Sequence, residues 1–159
     1  GLNLRAPIIE NLIHVGLQTK IKGFFVNVKD FISMCSNIIS GLKIKMASPM
    51  QEVRNLSGGN QQKVVLGKWL FTESDIFIFD EPTRGIDVNA KFEFYKIINE
   101  IARQGKVIIL ISSDMPELIS MSDRILVIVK GRIVKSLEGS EISEESIIRY
   151  ALEVQSDEF

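Results

Sequence analysis

Apolar residues in the first third of the chain recur at helical spacing. From Val28 onward, Phe31, Ile32, Cys35, Ile38, Ile39 and Leu42 fall three or four apart, which predicts an amphipathic helix with Gly41 near its end as a C-cap. Residues 7 to 15 predict a shorter helix with Pro7 in its first turn, and no strand pattern is visible in this third. The pattern changes at the turn Ser57-Gly58-Gly59. A helix from Gln61 to Leu70 follows, with Trp69 among Val65, Leu66 and Leu70 and therefore expected in the core. Ile76 to Phe79 and Val107 to Ile111 are short, continuous apolar runs, the pattern of strands buried on both faces. Between them Asp87 can cap a helix from Val88 to about Arg103, stopped by Gly105. Pro116 starts a brief helix, and Arg124 to Val129 and Arg132 to Leu137 alternate around Lys130-Gly131 as a hairpin. A last helix begins near Ser143 with Ile147, Ile148, Ala151 and Leu152 on one face. Strand, helix and strand in this order predict an α/β fold with a parallel sheet, ending in an antiparallel hairpin.

Composition narrows the class. The chain of 159 residues is 45% hydrophobic and 25% charged, with a net charge of −1, enough for one domain with a core. An isoelectric point near 5.9 gives no electrostatic footprint for nucleic acid. The longest apolar runs are too short to span a bilayer, and no signal peptide pattern opens the chain. The single cysteine, Cys35, excludes an internal disulfide and is expected as a buried packing residue.

Two short segments carry the chemistry. In Leu56-Ser57-Gly58-Gly59-Asn60-Gln61-Gln62-Lys63, a glycine pair opens a helix, so bare backbone N–H groups and the Ser57 hydroxyl can meet a phosphate, aided by the helix dipole. In Ile76-Phe77-Ile78-Phe79-Asp80-Glu81-Pro82, an acidic pair ends an apolar strand, where α/β sheets place ligands. Strand alternation is expected to send the two acids to opposite sides, so that Asp80 holds Mg²⁺ and Glu81 polarises the water that attacks a γ-phosphate. Each segment alone is a common turn or strand end; the two in this order are informative.

Together they resemble the ABC-type ATPases. Leu56 to Lys63 is similar to the ABC signature, Asp80-Glu81 to the Walker B acids and Gly85-Ile86-Asp87 to the D-loop. The runs NLSGGNQQKVVLGKWL, FDEPTRGIDVNAKFEFYKIINEIA and ISSDMPELISMSDRILVIVKGRIV resemble the second cassette of sugar-importer ATPases of the ribose, galactose and arabinose type. The resemblance is best from residue 54 to 137. It implies an incomplete ABC-type P-loop NTPase domain, with a helical subdomain over 1–72 and the C-terminal part of the ATPase core over 73–159. It further implies ATP and Mg²⁺ as cofactors, Ser57, Gly58, Gly59, Asn60 and Asp87 as nucleotide-binding residues, and Asp80 as the metal ligand. Glu81 and Ser113 take the catalytic positions. Arg84 is expected to face the partner half or simply solvent.

Two departures shape the expectation. No G-x-x-x-x-G-K-[ST] occurs, since Gly67-Lys68-Trp69 and Gly105-Lys106-Val107 lack its other elements. The Walker A loop, the adenine-stacking aromatic and the glutamine loop would precede residue 1, so a fragment beginning inside the helical subdomain is expected, inactive by itself. The switch histidine of the family is replaced by Ser113, which donates a hydrogen bond but does not titrate near pH 7. His14, the only histidine, lies in the helical part and is expected at the surface or boundary.

The resemblance implies partners: a first cassette in the same full-length chain, transmembrane permease subunits met through residues 8 to 47, and indirectly a sugar-binding protein. Its implied place is the cytoplasmic face of the cell membrane. The glycines would serve the ATP of the partner cassette. A non-hydrolysing structural or regulatory cassette is an alternative. The head of a chromosome-maintenance or DNA-repair ATPase is a weaker one, lacking its heptad helix and basic face here.

Overall fold

The computed structural model describes the backbone of residues 1–20, 28–72 and 74–156, and the side chains of 1–16, 32–72 and 74–152. The elements are α1 (Ile8–Lys20), α2 (Val28–Gly41), α3 (Gly58–Leu70), β1 (Ile76–Asp80), α4 (Val88–Arg103), β2 (Val107–Ile111), α5 (Met115–Met121), β3 (Arg124–Val129), β4 (Arg132–Glu138) and α6 (Glu144–Ser156). Two compact units share them, one made of Gly1–Phe77 with Pro82–Ile108, the other of Ile78–Glu81 with Ile109–Phe159.

In the first unit α1, α2 and α3 pack on one another and α4 lies on α3. The buried residues of this unit include Ile8, Leu12, Cys35, Ile39, Leu42, Val53, Leu56, Val64, Leu66 and Phe71. Burial pushes the Cys35 thiol up to about 11, so it stays a neutral packing group at physiological pH. Glycine allows the close approach: a Cβ on Gly67 would meet Ile38 and Leu12 methyl carbons at 2.8 Å, so α3 touches α1 and α2 there.

The end of α2 differs from expectation. Gly41 is not the left-handed residue; Lys43 is, at φ 50°. Lys43 N–H donates to Ser40 O at 3.1 Å and Ile44 N–H to Ile39 O at 3.0 Å, which is a Schellman closure with Ile39 and Ile44 both buried.

In the second unit, α6 covers the hairpin β3–β4 around Ile125, Val127, Leu137 and Ile147. Lys130 and Gly131 both have positive φ (50° and 78°), the two-residue turn whose twist suits a hairpin. The register shifts by one residue between Val127 and Ile128. β1 and β2, whose residues are shared between the two units, pair in the same direction, as two bonds show: Val107 N–H to Asp75 O, and Glu81 N–H to Ile111 O, both 2.9 Å. The fold is thus α/β, with a parallel strand pair and a terminal hairpin.

Several core assignments are corrected. β1 and β2 are not buried on both faces: Ile76, Ile78, Val107, Ile109 and Ile111 are exposed, while Phe77 is buried. Ile32 on α2 and Ile148 and Leu152 on α6 share apolar helix faces with buried residues but are themselves exposed. The Phe31 side chain lies outside the described residues. Trp69 is 48% exposed rather than core, its ring flanked by the Lys68 ammonium at 5.7 Å from the centroid. Cys35 is buried and His14 exposed, as expected.

Gly16 provides a test of the helical packing. A Cβ there would lie 2.1 Å from the ring of Phe71, which is fully buried. Gly16→Ala should destabilise the protein by roughly 1–3 kcal/mol in denaturant titration, although alanine is the better helix former.

Candidate functional site

The first cluster of candidate residues lies within the first unit, at the start of α3. Ser57 occupies the N-cap position with extended backbone (φ −61°, ψ 155°), yet its side chain makes no cap bond to the helix. The first intrahelical bond runs from Gln61 N–H to Ser57 O at 2.9 Å, so the leading N–H groups of α3 carry no side-chain cap. Asn60 Nδ2 donates to Ser57 Oγ, and Asn60 Oδ1 accepts from Lys45 N–H, both at 2.9 Å. Asn60 therefore spends both ends of its amide inside the chain.

Gly59 is required by contact: a Cβ there would come within 2.7 Å of Ala90 Cβ, so α3 and α4 begin side by side. A Cβ on Gly58 would sit 3.6 Å from Ile86, in the loop Gly85-Ile86-Asp87, where Gly85 has φ 76°. Asp87 is the N-cap of α4 and accepts from Ala90 N–H at 2.9 Å. Ser57, Gly58, Gly59, Asn60 and the Gly85–Asp87 loop are thus one neighbourhood, and Asp87 is spent on capping.

A network missed from sequence supports this turn. Lys63 is buried, its side chain only 5% exposed, with Nζ 2.7 Å from Glu93 Oε2 on α4 and 3.4 Å from Lys43 O. The hydrogen bond from Lys63, and then its charge, hold the Glu93 carboxyl below its ordinary value of 4.5. Lysine ordinarily reads as solvated; only its place on the α3 face that also carries Gly59 hints otherwise.

The second cluster lies within the second unit. β1 stops at Asp80, and Glu81 turns out of the strand with left-handed backbone, φ 49°. The alternation expected to separate the two acids therefore does not extend to Glu81. Glu81 is held twice: its N–H donates to Ile111 O, and its Oε2 accepts from Ser113 Oγ at 3.1 Å. Asp80 is exposed, and its carboxylate makes no hydrogen bond or ion pair among the described residues. Arg84 is exposed, beside the buried Thr83. No group of three or more metal-ligating side chains exists among the described residues. One free carboxylate nonetheless suits Mg²⁺, which keeps several waters and takes phosphate oxygens as ligands. No described helix is long and apolar enough to cross a membrane.

Comparison with known proteins gives the class. Residues 14–84 match the family model described as ABC transporter. Solved cassettes share the fold: the MJ1267 ATP-binding cassette of an ABC transporter superposes with a TM-score of 0.75 at 18% identity, covering 92% of this chain and 63% of that one. The MJ0796 cassette bound to ADP and Pi gives 0.72 at 18% identity, over 87% and 59%. The chain is similar to the ATP-binding domains of ABC transporters. Within them it is 50% identical over 143 residues to the galactose/methyl galactoside import ATP-binding protein MglA of Clostridium tetani, covering 89% of this chain and 28% of that protein. It is 45% identical over 152 residues to the ribose import ATP-binding protein RbsA 1 of Streptomyces avermitilis, covering 96% and 29%. The chain thus spans less than a third of the length of these relatives.

The Glu93–Lys63 pair predicts a pH signature. Because the fold lowers the Glu93 pKa, its contribution is present above the ordinary value and lost as pH falls through the lowered one. Glu93→Gln should lower the melting temperature at neutral pH by stranding Lys63. The difference from the parent protein should close as the pH falls through the lowered Glu93 value.

Proposed function

We propose that the chain is the C-terminal part of the second ATP-binding cassette of a sugar importer, part of a subunit that hydrolyses ATP to drive uptake. The observation that carries this reading is the start of α3, left without a side-chain cap and carrying Ser57, Gly58 and Gly59 in a helix-opening turn. Such a turn suits a phosphate of a nucleotide held by a partner cassette. The ribose and galactose import proteins it resembles support the substrate class. The division into a helical subdomain over 1–72 and an ATPase core over 73–159 belongs to the same reading. So do a peripheral place on the cytoplasmic membrane face, permease partners, and indirect work with a sugar-binding protein.

Asp80 would hold Mg²⁺ through its exposed carboxylate, and the metal would neutralise charge on the phosphates. Glu81 would orient the attacking water. Ser113 holds Glu81 by one hydrogen bond and supplies no titrating group, which supports a weaker site in this half. The glycine turn and the acidic pair then act on different nucleotides. A cassette that pairs without hydrolysing is the second reading, favoured by that same serine.

Two measurements test the proposal. Ser57→Arg in the full-length subunit should abolish most ATP turnover by filling the phosphate position, and near-normal turnover would overturn it. The 159-residue chain alone, which has no phosphate loop in its sequence, should show no micromolar affinity for MgATP in calorimetric titration.

A further inference from the structure

We infer that Asn60 is a positioning residue: it fixes the Ser57 hydroxyl as an outward-facing hydrogen-bond donor. The inference deepens the proposed function and rests on it. A backbone N–H can only donate, so the Lys45 N–H at 2.9 Å requires Asn60 Oδ1 to face it. The other end of the amide, Nδ2, must then face Ser57 Oγ, also at 2.9 Å. An amide N–H occupies an acceptor site of the hydroxyl, so the single Ser57 proton cannot point back at Asn60. It is left to donate elsewhere, toward an acceptor outside the turn. A phosphoryl oxygen, which has lone pairs and no proton to give, is such an acceptor.

The donor that sets this orientation is itself held. Lys45 follows the Schellman closure of α2, in which Lys43 is left-handed and Ile44 N–H is bound to Ile39 O. The Lys43 carbonyl accepts from Lys63 Nζ, and Lys63 is paired with Glu93. The chain of contacts from the end of α2 to Ser57 therefore has an assigned donor and acceptor at every step. Asn60 does not need to touch nucleotide to matter.

A double-mutant cycle in the full-length subunit, assembled with its partners, tests this. Ser57→Ala should lower the maximal ATP turnover about tenfold or more, the loss of one donor to a charged group. Asn60→Ala should lower it comparably, with the KM for ATP held within about threefold, and the double variant should fall little below either single one. Asn60→Asp keeps an acceptor for Lys45 and suits the first turn of a helix, so it controls for folding. It should also lose turnover, because its carboxylate draws the Ser57 proton inward. In the Ser57→Ala background that loss should shrink, whereas simple charge repulsion would persist. Full turnover in Asn60→Ala, or losses that multiply fully with Ser57→Ala, overturn the inference while leaving the phosphate reading intact. Unchanged turnover in Ser57→Ala overturns both.

Discussion

A buried ammonium group has to find its partners, and Lys63 finds them on two other segments. Its side chain is 5% exposed, so leaving it unpaired would cost several kcal/mol of lost hydration. Glu93 comes from α4 and the Lys43 carbonyl from the closure of α2. The lysine can be satisfied only when the three segments hold one relative arrangement. Half of the Glu93 side chain faces water, so screening limits the net gain of the pair. Its effect is one of direction more than of strength. Apolar contacts between α1, α2 and α3 supply the burial, and the polar contacts choose among the ways in which that burial could be arranged.

The same economy governs the backbone. Lys43 and Glu81 both adopt left-handed geometry without being glycine, each at a cost of about 1–2 kcal/mol. At Lys43 the Schellman bonds and the meeting of Ile39 with Ile44 offset it. At Glu81 the offset is a backbone bond to Ile111 and a side-chain bond from Ser113. Glycine would relax either position. At Glu81 it would also delete the carboxylate, so chemistry and conformation compete at that residue. Strain held in place by neighbours at such a position is common in functional sites.

Helix starts and turns were legible in the sequence because each has a local chemical cause. Asp87 caps α4, Pro116 lies in the first turn of α5, Ser143 accepts from Ser146 N–H at the start of α6, and Lys130-Gly131 turns the hairpin. The candidate site was legible as a list of residues, from Ser57 to Asp87, but not as a set of contacts. Periodicity shows an apolar stripe without its width: Ile32, Ile148 and Leu152 lie on such stripes yet are exposed, and Trp69, expected in the core, is exposed as well. A continuous apolar run likewise does not reveal which face has a cover, hence the exposed Ile76, Ile78 and Ile109. Lys63 and Asn60 read as ordinary polar helix residues. Their roles depend on partners 20 and 15 residues away, which no local pattern encodes.

The contrast among helix starts gives the polar turn its meaning. α4, α5 and α6 each spend a side-chain oxygen on a leading N–H group, the arrangement that stabilises a helix by about 1 kcal/mol. α3 has a serine in the right place and does not use it so. The oxygen is taken instead by the Asn60 amide, itself aimed by Lys45. Forgoing a cap leaves the N–H groups that open α3 without a side-chain partner, with positive dipole behind them. Set beside the capped starts of α4, α5 and α6, the open start of α3 gives up local stability where Ser57, Gly58 and Gly59 stand together. An anion supplied from outside the unit is the ligand that would restore what the missing cap forgoes.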